Sequence, residues 1–274
     1  YFTAKARLFR NLLPEGKAAV IYAEDKRFAE LKSICAQRKH RLVSFGKEGD
    51  LAIREVDLHP RGMTLKAEIF GAMHTISLPL IGYFQALNIL AALGMATGCE
   101  ESPELLIPLL PKLRSVRGRM EYVASPNGGA AYVDYAHTPG AVEKALAALK
   151  SHCHGRLLVV LGCGGDRDAG KRPLMGEAAS KGADAVYITD DNPRSEDPAA
   201  IRAQVMAGCG NNAREVAGRE HAIAAALSDM RPGDILLVAG KGHETTQTIG
   251  KEVLPFNDAE VIRTLVEGKV AAHG

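Results

Sequence analysis

Leu157-Leu-Val-Val-Leu-Gly-Cys-Gly-Gly-Asp-Arg-Asp168 decides the fold. Its apolar half is too short for a helix and reads as a strand buried on both faces, and its glycines let the chain turn sharply at the strand's carboxyl end. Two later stretches repeat the arrangement: Ala185 to Ile188 runs into Asp191-Asn-Pro-Arg194, and Ile235 to Val238 runs into Gly240-Lys-Gly-His-Glu244. Parallel strands of this kind place all three turns at the carboxyl edge of one sheet, where open α/β sheets bind ligands. The side chains offered there are Arg167, Arg194, Asn192 and Glu244. Arginines grip a carboxylate bidentately and a glutamate pairs with an ammonium, so the expected ligand is a small zwitterionic amino acid.

Outward from these runs, strand and helix alternate. Strands are predicted at 132–135, 157–161, 185–188, 214–217, 235–238 and 252–255, with helices at 139–152, 173–182, 197–208, 219–230 and 257–267. Repeated βα units with right-handed crossovers give a doubly wound, mainly parallel sheet. Before them, residues 18–22 and 41–45 read as strands flanking a helix at 26–37, and segments near 51–56, 63–69 and 74–78 alternate as antiparallel strands do. Helices are predicted at 83–97 and 102–113, and the pattern breaks at Arg114 to Gly118, the expected linker. Leu8, Phe9 and Leu12 fall at helical spacing directly after Tyr1, a helix without a start signal, so the chain reads as cut from something longer.

Composition sets the remaining bounds. The 274 residues are 46% apolar and 24% charged with a net charge of +2, the profile of a globular protein with acidic and basic residues interspersed. No basic stripe calls for nucleic acid, and no apolar stretch approaches the roughly 20 residues of a membrane span. Cys35, Cys99, Cys153, Cys163 and Cys209 are odd in number and show no Cys-x-x-Cys spacing, which favours a reducing cytoplasm and no zinc site. Cys163 reads as a small buried residue closing its strand instead of a nucleophile. His152 and His154 read as surface residues.

Two motifs mislead. Gly162-x-Gly164 follows a strand as a dinucleotide fingerprint would, but Arg167 occupies the third glycine's place. Gly165 to Lys171 matches the start of a phosphate loop, but Arg172 stands where a Ser or Thr would hold magnesium.

Taken in order, Asp134-Tyr-Ala-His-Thr-Pro139, Gly162-Cys-Gly-Gly-Asp-Arg-Asp168, Lys171-Arg-Pro-Leu-Met-Gly176, Asp191-Asn-Pro-Arg194 with Glu196-Asp-Pro198, and Ala239-Gly-Lys-Gly-His-Glu244 resemble the Mur ligases of peptidoglycan synthesis. Pro79 to Asn88 and Gly118-Arg-Met-Glu121 extend the resemblance over nearly the whole chain. It implies the latter part of the family's ATP-binding central domain at residues 1–118, followed by a Rossmann-like carboxyl-terminal, amino-acid-binding domain at 119–274. The likeness is strongest to members that add the third residue of the stem peptide. In those, the Asp-Asn-Pro-Arg run recognises meso-diaminopimelate and lysine-adding members typically lack its arginine, so Arg194 implies diaminopimelate.

The resemblance further implies a reaction in which ATP phosphorylates the γ-carboxylate of UDP-N-acetylmuramoyl-L-Ala-D-Glu and the incoming amine displaces phosphate, with Mg2+ countering the gathered negative oxygens. Carried over by motif, Arg167, Asp191, Asn192, Pro193, Arg194, Gly240 and Glu244 hold diaminopimelate, while Asn88, Arg119 and Asp134 contact ATP and His137 lies close by. Lys5 matches the lysine that the family carbamylates into an oxygen ligand for magnesium. Read from the residues alone, Lys5 is a solvated helix face, Asp134 a cap for the helix near Thr138, and Arg167 and Arg194 partners of Asp168 and Glu196.

The pattern also has departures. No glycine-rich loop ending Gly-Lys-Thr occurs in these residues, and Gln85 stands where many members have asparagine. The expectation is therefore a cytoplasmic, monomeric ligase fragment, inactive alone, acting on small molecules and on neither nucleic acid nor membrane. A lysine-adding or polyglutamate-forming relative and a non-catalytic amino-acid-binding module stay open beside it.

Overall fold

The structure is a computed structural model that describes residues 2–271. Its contacts divide the chain into two units, residues 1–58 with 62–114, and residues 59–61 with 115–274.

The first unit opens with helix α1 (Phe2–Arg7), continued by a π-helical turn over Leu8–Leu12. Strand β1 (Ala18–Tyr22), helix α2 (Phe28–Gln37) and strand β2 (Arg41–Gly46) form a parallel βαβ unit. Strands β3 (Leu51–His59), β4 (Gly62–Ile69) and β5 (Ala72–Leu78) complete a sheet of order β1-β2-β3-β4-β5. β4 and β5 pair antiparallel as predicted, whereas β3 starts parallel to β2 through Leu51 and Ala52. Helix α3 (Tyr83–Gly98) covers one face, burying Leu90 and Leu93 with Leu51, Met63, Leu65 and Leu78. On the other face Ala19, Ile21 and Cys35 pack with Phe9 and Phe28. The helix predicted over 102–113 splits into a short α4 (Pro103–Leu106) and a 3-10 segment (Ile107–Lys112). Pro108 and Pro111 explain the break, since neither can donate a helical hydrogen bond.

The second unit holds a sheet of order β10-β9-β8-β11-β7-β6. β6 (Glu121–Ala124) is antiparallel to β7 (Ala130–Asp134), and β8 (Leu157–Cys163), β9 (Ala185–Asp190), β10 (Ala213–Glu215) and β11 (Ile235–Ala239) run parallel with β7. Every residue of β8 and of β11 is buried, the signature of a strand covered on both faces. α5 (Pro139–Lys150), α6 (Lys171–Gly182) and α7 (Pro198–Met206) follow β7, β8 and β9. α8 (Arg219–Asp229) and α9 (Asp258–Ala271) cover the face where Leu158, Val160, Leu236 and Val238 pack against Ile223, Leu227 and Ile262. A separate hairpin, β12 (Thr246–Ile249) with β13 (Glu252–Pro255), follows β11.

His152 corrects its reading as a surface residue. It is buried, with Nδ1 3.0 Å from the carbonyl of His59, in the turn that groups with this unit.

Candidate functional site

The parallel register lines up the strand ends. Ala239 at the end of β11 pairs with Asp134 of β7 and Leu161 of β8, and Cys163 of β8 pairs with Asp190 of β9. The 162–168, 191–194 and 240–244 runs therefore leave one edge together, and glycine lets them approach. A Cβ at Gly165 would strike the carbonyl of Pro193, and one at Gly162 would lie 2.7 Å from the carbonyl of Thr189. Gly165 N–H donates to the Asn192 carbonyl at 2.9 Å, tying the first run to the second.

Arg194 is held in the left-handed region at φ 52°. Its N–H donates to the Thr248 carbonyl at 3.1 Å and its carbonyl accepts from Gly250 N–H at 2.7 Å, so β12 and the turn after it clasp it on both sides. The guanidinium Nη1 donates to the carbonyls of Gly165 at 2.8 Å and Asn192 at 3.4 Å. A Cβ at Gly164 would sit 2.8 Å from Arg194 Nη1 and 3.8 Å from Arg167 Cγ, so the two arginine side chains flank Gly164. Neither forms the surface ion pair that the residues alone suggested. Glu196 instead pairs with Arg172, and among the described residues Arg167 reaches only the Asp166 carbonyl, at 3.5 Å.

Asn192 and Glu244 touch: Nδ2 donates to Oε2 at 3.0 Å. Burial alone would raise the Glu244 carboxyl, but hydrogen bonds from Lys241 and Asn192 and the charges of Lys241 and Arg194 outweigh it, and the carboxyl lies below its ordinary value. Asp191 is raised, chiefly by burial, with Glu244 and Asp258 adding to the shift. Gly240 carries φ 114°, and a Cβ there would lie 3.0 Å from Asp191 Oδ2. Pro193 is buried, and its carbonyl accepts from Glu196 N–H at 3.1 Å.

The strand ends rest on a buried ion pair. Arg219 donates to Asp258 through Nε at 2.7 Å and Nη2 at 2.8 Å, and also to the carbonyls of Ala239 at 2.9 Å and Asp190 at 3.3 Å. Sequence reasoning missed Arg219, because nothing local distinguishes it from a surface arginine at a helix start. It also missed Lys241 and Gln247, whose Nε2 donates to the Asp191 carbonyl at 2.6 Å. A signal for Lys241 was present: a lysine set between two glycines directly after a fully apolar strand cannot easily reach solvent.

A second cluster surrounds the end of β7. Asp134 accepts from the backbone N–H groups of Met120 at 2.9 Å and Ala136 at 2.8 Å. The local role is thus a clamp on the loop before β6 and the turn after β7, while Thr138, not Asp134, is the N-cap residue of α5. Burial raises the Asp134 carboxyl, against the pull of these N–H groups and of Arg119. Arg119 stacks over the Tyr135 ring at 4.7 Å, and the rings of His137 and His243 lie 4.5 and 5.4 Å from Tyr135. Gly118 and Gly242 make the cluster possible. Both have positive φ, and a Cβ on Gly118 would strike Gly242 and the His243 N–H.

Lys5 and Asn88 belong to the first unit and the other candidate residues to the second. Lys5 is exposed on α1, and Asn88 is exposed on α3 with its Nδ2 donating to Gln85 Oε1 at 3.1 Å. Among the described residues no group of three or more His, Cys, Asp or Glu side chains is placed to hold a metal. Among the described residues no helix is long and apolar enough to cross a membrane. Cys163 is buried, and that burial pushes its thiol up to about 11, as suits a residue that closes a strand.

Residues 1–96 match the Mur ligase middle domain and residues 118–242 the Mur ligase glutamate ligase domain; the chain belongs to the Mur ligase family. Among individual proteins it is similar to the UDP-N-acetylmuramoyl-L-alanyl-D-glutamate--2,6-diaminopimelate ligases of Bradyrhizobium diazoefficiens, 45% identical over 99% of this chain and 57% of the relative, and of Caulobacter vibrioides, 44% identical over 97% and 55%. A solved structure of a ligase of the same name superposes with a TM-score of 0.82 at 35% identity, covering 98% of this chain and 56% of the other. The chain spans about half the length of the curated relatives it matches.

Proposed function

We propose that this chain is part of a ligase that joins meso-diaminopimelate to the D-Glu carboxylate of UDP-N-acetylmuramoyl-L-Ala-D-Glu at the expense of ATP, in the cytoplasm. The observation that carries the reading is the meeting of Asn192 and Glu244 at 3.0 Å, on the same strand edge as Arg167 and Arg194, the two arginines beside Gly164. In the reaction, the γ-carboxylate oxygen attacks the terminal phosphorus and ADP leaves. The amine of the bound amino acid then attacks the acyl carbonyl, loses a proton and expels phosphate. The second unit holds the attacking amino acid: Glu244 faces the ammonium, Asn192 and the arginines face carboxylate, and Asp191, Pro193 and Gly240 shape the pocket.

Arg119, Asp134 and His137 fit an ATP-contacting role through the Tyr135 cluster, and Asn88 and Lys5 are assigned by motif alone. Magnesium, when bound in the whole enzyme, would counter phosphate charge, with carbamylated Lys5 as the residue of this chain nearest in kind to a ligand. Phosphoryl transfer depends on positioning of the phosphates, and these 274 residues contain no Gly-Lys-Thr phosphate loop, so the chain alone is expected to consume no ATP.

Isothermal titration of this chain with meso-diaminopimelate and with lysine tests the reading. Lysine lacks the distal carboxylate and leaves an arginine unpaired, so it should bind at least about 30-fold more weakly. Equal affinities for the two would sink the assignment.

A further inference from the structure

This inference rests on the reading above and concerns how the same site is set. Lys241 has a fully buried side chain, which lysine tolerates only when paired. Its Nζ donates to Asn192 Oδ1 at 3.1 Å and to Glu244 Oε2 at 3.0 Å. The backbone N–H of Thr248 donates to the same Asn192 atom at 3.0 Å. Two donors converging on one atom identify it as the amide oxygen, which turns the amide nitrogen toward Glu244. The second amide N–H of Asn192 and the Oε1 atom of Glu244 make no hydrogen bond among the described residues, and about a third (34%) of the Glu244 side chain is exposed.

We propose that Lys241 is a specificity-determining positioning residue: by occupying Asn192 Oδ1 and Glu244 Oε2 from the buried side, it sets the pair to present one N–H donor and one carboxylate oxygen. That is the complement of an amino acid's carboxylate and ammonium. Without Lys241 the Asn192 amide oxygen keeps only the Thr248 N–H as a donor and can accept from an amine. Glu244 at the same time loses its buried counter-ion. The charged groups that then face Glu244 are Asp191, Arg194 and Arg219, of which Asp191 disfavours ionisation.

The test uses this chain with Lys241→Met and Lys241→Gln, meso-diaminopimelate as the titrant, and a pH series. Lys241→Met should lower affinity at neutral pH by about 30-fold or more and should move upward the pH at which binding fails on acidification. Lys241→Gln keeps a donor for Asn192 without the charge, so it should retain more affinity than Lys241→Met yet show the same upward move. Affinity and acid limit both unchanged in Lys241→Met would overturn the proposal. Should the parent chain bind no diaminopimelate, the functional reading fails, and carbon-13 NMR titration of the Glu244 carboxyl decides the positioning role separately. A Glu244 titration identical in parent and variant overturns it, and one moved upward in the variant supports it. If Lys241→Met does not fold by circular dichroism, Lys241→Gln decides through the same two readouts.

Discussion

Arg172 and Glu196 meet through two hydrogen bonds, Nη1 to Oε2 at 2.7 Å and Nη2 to Oε1 at 2.8 Å. This fork takes up the carboxylate two residues beyond Arg194, so the Arg194 guanidinium turns to the carbonyls of Gly165 and Asn192. Arg172 also donates to Gln204 Oε1 at 2.8 Å and to the Gly164 carbonyl at 3.2 Å, which fastens the first glycine run to α7.

The hydrogen bonds from Arg172 hold the Glu196 carboxyl at about 2, well below its ordinary 4.5. A depressed carboxylate contributes stability that is fully present above the unfolded value and is lost as pH falls through the folded one, here from about 4.5 to about 2. Stability measured by urea unfolding should therefore drop across that window, and Glu196→Gln should flatten the drop. Asp184 and Asp234 are also lowered by hydrogen bonds that outweigh their burial, so some slope should remain in the variant. An unchanged slope in Glu196→Gln would show that the pair carries none of it.

Removing Asp258 leaves Arg219 charged and fully buried, since both side chains are 0% exposed. Asp258→Ala should cost about 3–5 kcal/mol in urea unfolding, the range for breaking a buried pair from one side. A loss under about 1 kcal/mol would mean that water reaches Arg219.

Gly165→Ala should be costly, because the new Cβ collides with the Pro193 carbonyl, which is backbone and cannot swing aside. About 1–3 kcal/mol of stability should be lost, together with diaminopimelate affinity, as the 191–194 run is displaced. Gly140→Ala supplies the contrast, with nothing within 4 Å of its Cβ and an expected change within about 0.5 kcal/mol. Equal losses at the two positions would remove the steric argument.

In the complete ligase proposed above, Arg194→Ala should raise KM for diaminopimelate by on the order of 30-fold or more and leave KM for ATP little changed. A variant that instead weakens ATP alone would reassign the 191–194 run to the nucleotide.

Cys163, with its thiol raised to about 11 by burial, should resist iodoacetamide at neutral pH in the folded chain, whereas exposed Cys99 should be alkylated readily. Peptide mass spectrometry reads both. Fast labelling of Cys163 would reopen its reading as a nucleophile.

What could be read in advance follows from which forces are local. Leu157 to Leu161 and Ile235 to Val238 announce buried parallel strands because both faces are covered and no polar residue interrupts them. Glu121 to Ala124 and Thr246 to Ile249 stayed hidden, because edge and hairpin strands with polar residues lack that uniform pattern. The glycine runs and Arg194, Asn192 and Glu244 were legible as a candidate site at one strand edge because their residue types are unusual at strand ends. Arg172, Arg219, Lys241 and His152 were not, since their burial depends on partners such as Glu196, Asp258, Asn192 and the carbonyl of His59, all distant or unremarkable in sequence. The helix over 102–113 failed for a local reason that Pro108 and Pro111 had already spelled out.

The backbone at Arg194 sets durability against recognition. A side chain at φ 52° costs about 1 kcal/mol that glycine would avoid, and the Thr248 carbonyl and Gly250 N–H would clasp a glycine equally well. Arg194→Gly is therefore a change whose backbone gain is set against the loss of the guanidinium's bonds to the Gly165 and Asn192 carbonyls, and one that a search for ligand binding would reject. Screening this chain on melting temperature alone carries no penalty for an emptier grip, and any such campaign should hold position 194 out of the library.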